Sequence, residues 1–261
     1  MYDFSFVKPS TVADAVTALA SEDAQALGGG QTLIPTMKQR LASPEKLVSL
    51  TGIADMQGVS QSGGALTIGG ATTHATVAAH AGGFAGLAIL AGGIGDPAVC
   101  NRGTIGGSLA NNDPAACYPS AALATGATIV TNTREIAADD FFQGMFETAL
   151  EEGEIITAVR MPIPEASNYQ KFEQPASRFA LVGVFVAKYA SGVRVAVTGA
   201  SEGGVFRWSE AEAALGSNFS ADAVSDLSVA QDDMIEDLHG SKAYRAHLVK
   251  VMTGRAVAAA G

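Results

Sequence analysis

Cysteine is scarce in this chain. Only Cys100 and Cys117 occur among 261 residues, and no C-x-x-C pair is present. A disulfide framework needs several pairable cysteines, and zinc–cysteine and iron–sulfur sites commonly use four thiolates. The sequence therefore indicates that none of these sites is carried on this chain.

Charge is also sparse, and positive charge above all. Charged residues make up 16% of the chain, and 16 Lys+Arg against 26 Asp+Glu give a formal net charge of -10. Because nucleic acids and anionic membranes repel an acidic surface, neither is expected as a partner. No apolar run reaches 18 residues, and Asp3 stands where a signal peptide would carry its basic region. We expect a cytoplasmic protein without a membrane span.

Histidine is equally rare, with four in the chain. They show no H-E-x-x-H spacing, and no G-x-S-x-G segment is present, so metalloenzyme and hydrolase functions are not indicated. His74 could approach a ligand or a partner surface, but a histidine at the surface or at a helix start is the simpler interpretation. It is not among the predicted site residues.

Glycine is abundant, and 18 of the 30 glycines lie between Gly28 and Gly107. They punctuate apolar runs, which favours tight turns inside a packed domain over a flexible linker. With 48% hydrophobic residues, the chain has enough apolar surface for one large or two modest domains. The turn chemistry predicts a hairpin at Gly63-Gly64, and Ser10 is predicted as the N-cap of the first helix.

Two glycine loops combine adjacent glycines with hydroxyl or amide side chains. They are Gly28-Gly29-Gly30-Gln31-Thr32-Leu33-Ile34-Pro35 and Asn101-Arg102-Gly103-Thr104-Ile105-Gly106-Gly107-Ser108-Leu109-Ala110-Asn111. Backbone without a Cβ can aim several N–H groups into one concavity, which suits a phosphate. Turn formation or close packing explains such glycines equally well. Neither the G-x-G-x-x-G fingerprint nor a P-loop fits, so a bound dinucleotide would require another fold.

The two loops, followed by Asp113-Pro114-Ala115-Ala116, resemble the FAD-binding medium subunit of molybdenum hydroxylases, the family of aerobic carbon monoxide dehydrogenase and xanthine dehydrogenase. The similarity continues nearly end to end, through Gly153-Glu154-Ile155-Ile156, Lys171-Phe172, residues 176–182 and His239-Gly240-Ser241. The resemblance implies a mixed α/β (α+β) fold. A two-lobed FAD-binding domain of the vanillyl-alcohol-oxidase (PCMH) type at 1–164, with lobes of about 1–55 and 56–164, would precede a smaller α+β C-terminal domain at 165–261.

The resemblance also implies the residues that contact FAD. Both loops would wrap the pyrophosphate, and two apolar residues would lie near the flavin, although each also fits as an ordinary core isoleucine. The implied set is Gly28, Gly29, Gly30, Gln31, Thr32, Leu33, Ile34, Thr104, Ile105, Gly106, Gly107 and Ser108, with Ile94 and Ile156 at the flavin.

Two positions depart from the family pattern. Cys117 stands where relatives commonly have an aspartate that can bind the ribityl chain, and thiols are weaker hydrogen-bonding partners. At Glu173-Gln174 an acid and an amide stand where relatives often carry Lys or Arg, a cation that would stabilise the anionic reduced flavin.

By resemblance, the function is electron transfer through FAD. The cofactor would take electrons from a [2Fe-2S] subunit and pass them to an external acceptor, while molybdopterin would sit on a large subunit. The implied assembly is a dimer of heterotrimers, and its substrate stays open. One alternative is a flavin-free docking subunit of the same complex, and another is a free-standing flavin oxidoreductase.

Overall fold

The structure is a computed structural model that describes residues 1–260, so Gly261, the last residue of the predicted C-terminal domain, lies outside it. Strands and helices alternate through the first half, and antiparallel strands followed by helices form the second. This mixed α/β architecture confirms the predicted fold class.

The N-terminal unit is a three-stranded parallel sheet in the order β1-β3-β2. Its elements are β1 (Ser5–Val7), α1 (Val12–Leu19), β2 (Ala24–Leu27), α2 (Leu33–Lys38) and β3 (Lys46–Ser49). The prediction of Ser10 as the N-cap of α1 is wrong by one residue, because the Thr11 hydroxyl accepts the Asp14 N–H. A capping oxygen reaches the N–H two or three residues ahead, and Asp14 stands three residues after Thr11.

The second unit is an antiparallel sheet in the order β4-β5-β10-β6-β7, with helices packed on it. Gly63 and Gly64 both have positive φ and close the predicted hairpin between β4 and β5. A one-turn 3₁₀ helix at Ala54–Met56 precedes it. The elements are β4 (Val59–Ser62), β5 (Ala65–Gly69), α3 (His74–His80), α4 (Ala85–Gly92), α5 (Pro97–Cys100), α6 (Ile105–Asn111), α7 (Tyr118–Thr125), β6 (Thr128–Thr131), β7 (Glu135–Ala137), α8 (Ala138–Phe141), β8 (Phe142–Gly144), β9 (Glu147–Thr148) and β10 (Ile156–Pro162).

The third unit is a four-stranded antiparallel sheet in chain order, with two helices and a 3₁₀ turn at Ala221–Val224. Its elements are β11 (Ala166–Glu173), β12 (Ala180–Tyr189), β13 (Gly192–Ser201), β14 (Gly204–Arg207), α9 (Ser209–Ser217) and α10 (Lys242–Ala260). Strand β12 is apolar on both faces, as expected for a strand buried on both sides. Val184 packs with the helices of this unit, whereas Phe185 joins the core of the second unit.

The largest apolar core therefore crosses residue 164. It combines Leu87 and Tyr118 of the second unit with Tyr169 and Phe185 of the third. The helices α9 and α10 cover the other face of the third sheet in a separate cluster. The division into domains at residue 164 stays a prediction.

Candidate functional site

A cavity of about 570 Å³ is lined by residues from all three units. Its volume lies within the range of about 300–1,000 Å³ that is usual for small-molecule and cofactor sites. One part is formed by the two glycine loops, and another by apolar side chains and a lysine of β11.

The first glycine loop follows β2 directly. Gly30 has φ +72 and its carbonyl accepts the Ile34 N–H at 3.2 Å, which begins α2. A Cβ on Gly29 would overlap the carbonyl of Arg102, so only glycine lets the first loop lie against the second. The two loops therefore form one continuous surface.

The second glycine loop is fixed by backbone hydrogen bonds to the segment after β5. Ile105 donates its N–H to the Thr72 carbonyl at 3.1 Å, and Gly106 donates to the Gly70 carbonyl at 2.9 Å. The Thr104 hydroxyl caps α6 by accepting the Gly107 N–H. These bonds fix the position of the second loop against the segment after β5.

The cavity wall between the loops suits a group that needs close backbone approach. Gly107 is exposed, and a Cβ there would have only the Thr104 hydroxyl within 4 Å, at 3.0 Å, so the space in front of it is open. The hydroxyls of Thr32, Thr104 and Ser108 line the same cavity. Glycine backbone with hydroxyl donors is a set that fits the phosphates of a dinucleotide.

The remaining wall is more apolar. Ile94 and Ile156 line it together with Ile155 and Phe179, and Ile94 and Ile156 also pack against the main core. The same isoleucines are thus both core and cavity residues. Such a wall excludes water from whatever lies against it.

Lys171 of β11 brings a positive charge to this wall. Its side chain is only 5% exposed, and its Nζ donates to the carbonyls of Gly93 at 2.6 Å and Arg178 at 2.8 Å. Glu173, at 3.9 Å, is half-exposed, so the ammonium is only partly compensated. Lys171 thus places a buried cation at the cavity wall, although residue 173 is an acid.

Cys117 is buried at the cavity wall, 4.0 Å from the Lys171 Nζ. Burial raises the pKa of the Cys117 thiol, although the nearby lysine opposes this shift. The thiol is thus a neutral, weakly polar group at neutral pH and does not replace a carboxylate.

Glu154 stabilises the loop that precedes β10 through hydrogen bonds. Its carboxylate accepts hydrogen bonds from Thr131 at 2.6 Å, Thr133 at 2.9 Å and Arg134 at 3.0 Å. The Arg134 hydrogen bond is the main cause that lowers the pKa of Glu154 to about 2. The ionised carboxylate fixes the backbone beside Ile155 and Ile156.

Twelve of the fourteen predicted site residues line the cavity. Of the two others, Ile105 is fully buried beneath the second loop, and Ile34 contributes to a smaller hollow on the outer side of the first loop. The contact of all fourteen residues with FAD stays a prediction.

The sequence prediction did not include His74, Lys171 or Arg178, which also line the cavity. Lys171 belongs to the Lys171-Phe172 motif that resembles the family, and this motif is the sequence feature that could have indicated Lys171 as a site residue. Both of these cations, Lys171 and Arg178, come from the third unit and lie outside the two glycine loops that the sequence singles out.

Among residues 1–260, no cluster of three His, Cys, Asp or Glu side chains could hold a metal ion. No helix in the same range is both long enough and apolar enough to cross a membrane.

The chain matches the family described as "FAD binding domain in molybdopterin dehydrogenase" over residues 2–164. It is 34% identical to the nicotine 6-hydroxylase medium subunit of Paenarthrobacter nicotinovorans, covering 98% of this chain and 96% of the relative. It is 32% identical to the carbon monoxide dehydrogenase medium chain of Hydrogenophaga pseudoflava, with the same coverage.

The fold is similar to a chain of reconstituted CO dehydrogenase from Oligotropha carboxidovorans. The TM-score is 0.90 at 32% identity, covering 100% of this chain and 99% of the other. Together with the two glycine loops in one cavity, these similarities show that the chain belongs to the FAD-binding medium subunits of the molybdenum hydroxylase family.

Proposed function

We propose that this subunit carries electrons from a [2Fe-2S] partner subunit to an external acceptor, with FAD held in the cavity between the glycine loops and β11. The observation that carries this proposal is that both glycine loops line one cavity. The opposite side of this cavity is apolar and contains the buried Lys171. Bound FAD would supply the redox centre.

The residues of this chain would have three tasks. The glycine loops, predicted as residues 28–34 and 104–108, would hold the pyrophosphate together. The first loop would offer backbone N–H groups and the second the hydroxyls of Thr104 and Ser108, because the N–H groups of residues 105–108 already donate within the protein. Ile94 and Ile156 would exclude water from the flavin. The Lys171 ammonium would favour negative charge on a group bound near it, because its own countercharge, the half-exposed Glu173, lies 3.9 Å away.

The partners follow from the chemistry that this chain lacks. Two cysteines cannot ligate an iron–sulfur cluster that needs four. We therefore assign the clusters to a small iron–sulfur subunit and molybdopterin to a large subunit. The full assembly would be a cytoplasmic dimer of heterotrimers, as is implied by the family resemblance.

The flavin-free docking subunit is the less favoured alternative. Its main support was the loss of a cation at Glu173 and of a carboxylate at Cys117. Lys171 still places a buried cation at the cavity wall, and the space in front of Gly107 is open. A subunit with a purely architectural role would have no need of either feature.

FAD titration of the purified chain tests the proposal. The released cofactor is identified after heat denaturation, and binding is followed by visible absorbance. We expect stoichiometric FAD in the wild type and loss of binding in Gly107→Val, because the valine side chain would fill the space that the phosphates need.

A matched control is Gly216→Val, since Gly216 is also an exposed helical glycine with nothing within 4 Å of its Cβ position. This variant should bind FAD as the wild type does. Absence of binding to the folded wild type, alone and with its partner subunits, would support the docking subunit instead. Full binding in Gly107→Val would refute the loop assignment.

A further inference from the structure

His74 is the buried imidazole of the cavity wall. It begins α3, is 5% exposed, and donates its backbone N–H to the Gly103 carbonyl at 3.0 Å. Its ring packs against that of Tyr118, with 5.2 Å between the centroids. A Cβ on Gly103 would overlap the imidazole Nε2, so the second glycine loop lies directly against the ring.

The Nδ1 atom of His74 is buried without a hydrogen-bond partner among residues 1–260. A buried polar atom in this state costs free energy, and each instance in a native protein calls for an explanation. Burial lowers the pKa of His74 to about 4, so the ring is neutral at pH 7 and has one donor and one acceptor nitrogen.

The neighbouring polar side chains do not satisfy this atom. The Thr104 hydroxyl caps α6, and the Thr73 hydroxyl bonds to Thr76. The Tyr118 hydroxyl is itself unpaired and does not line the cavity. Nδ1 itself is shielded from solvent, so a ligand in the cavity that the ring lines would bind the imidazole at Nε2, which also forms no hydrogen bond among residues 1–260.

We propose that His74 is an FAD-binding residue whose imidazole forms a hydrogen bond with the cofactor beside the second glycine loop. This inference rests on the proposed function, because the cavity must hold FAD. It extends the site from the two glycine loops to the start of α3.

Two variants separate binding from folding. His74→Phe removes the unpaired atom and keeps a ring, so the empty chain should unfold at the same or a higher urea concentration than the wild type. Its FAD dissociation constant should rise by about tenfold, the size expected for the loss of one hydrogen bond. His74→Asn keeps a donor and an acceptor and should recover part of the affinity.

Tyr118→Phe is the matched control. It removes an unpaired hydroxyl from the ring that packs on His74 but does not alter the cavity lining. Its FAD affinity should equal that of the wild type.

A spectroscopic measurement needs no substitution. In the wild-type chain with ¹⁵N-labelled histidine, FAD should shift the His74 ring signals, whereas the exposed His80, His239 and His247 serve as internal references.

Unchanged FAD affinity in His74→Phe, or unchanged His74 signals in a chain that binds FAD, would overturn the inference and leave the proposed function intact. Parallel losses of empty-chain stability and affinity in His74→Phe, with no signal shift in the wild type, would show a structural role only. A folded wild type that binds no FAD, alone and with its partner subunits, would overturn both.

Discussion

At the scale of single residues, the contact between the glycine loops depends on Gly29. The carbonyl of Arg102 occupies the place where a Cβ would project. Gly29→Ala should therefore push the loops apart and lower the stability of the empty chain by about 1–3 kcal/mol, as overpacking does elsewhere. Urea denaturation measures this effect.

Gly83→Ala provides the control, because Gly83 is exposed, has no positive φ and has nothing within 4 Å of its Cβ position. Equal stability of Gly29→Ala and Gly83→Ala would show that the loops do not need this contact.

Individual residues also show where sequence reasoning ends. The glycine loops were identified from local motifs, and their residues do meet in one cavity. Lys171 is recognisable as part of a sequence motif, but its hydrogen-bond partners are not. The Gly93 carbonyl is 78 positions away in sequence and the Arg178 carbonyl is 7 positions away. Such a contact depends on how sheets pack, and periodicity carries no information about it.

At the scale of secondary-structure elements, Glu154 makes the start of β10 sensitive to acid. Because its pKa is lowered to about 2 in the folded chain, its contribution to stability is complete above the usual carboxyl range and is lost as pH falls toward 2. In Glu154→Gln this acid-dependent loss should be smaller, and stability at pH 6 should be lower because the Arg134 ion pair is gone. Urea denaturation at pH 6, 4.5 and 3 measures both effects.

Glu135→Gln is a suitable comparison, since Glu135 pairs with Arg160 at the surface and both side chains are well exposed. Exposed ion pairs contribute little to stability. If the two variants had the same pH profile, the Glu154 network would not be the source of the acid sensitivity.

The elements themselves were predictable where local chemistry decides them. The Gly63-Gly64 hairpin follows from turn geometry, and the first helix was misplaced at its cap by one residue only. The central position of β10 in the order β4-β5-β10-β6-β7 was not predictable, because β10 pairs with β5, a strand about 90 residues earlier in the sequence.

At the scale of the whole molecule, the shared core predicts cooperative unfolding. Phe185 and Tyr169 complete a cluster whose other members mostly precede residue 164. The third unit alone would expose these side chains, so we expect a single unfolding transition. Fluorescence of Trp208, the one tryptophan and a buried residue, should coincide with the far-UV circular dichroism signal.

Two separate transitions would instead mean that the predicted domains 1–164 and 165–261 are independent in stability. A fragment of residues 165–261 offers the same comparison. It should lack the native circular dichroism spectrum if the core is shared.

The hydrogen bond from Lys171 to the Gly93 carbonyl joins a late strand of the chain to an early segment. The ribosome releases the glycine loops long before β11, and N-terminal regions emerge first during synthesis. Until Lys171 reaches the carbonyl of Gly93, one wall of the cavity is absent. The complete cavity therefore forms only late in synthesis, and a translation product that ends before β11 would leave this side of the proposed flavin site open to solvent.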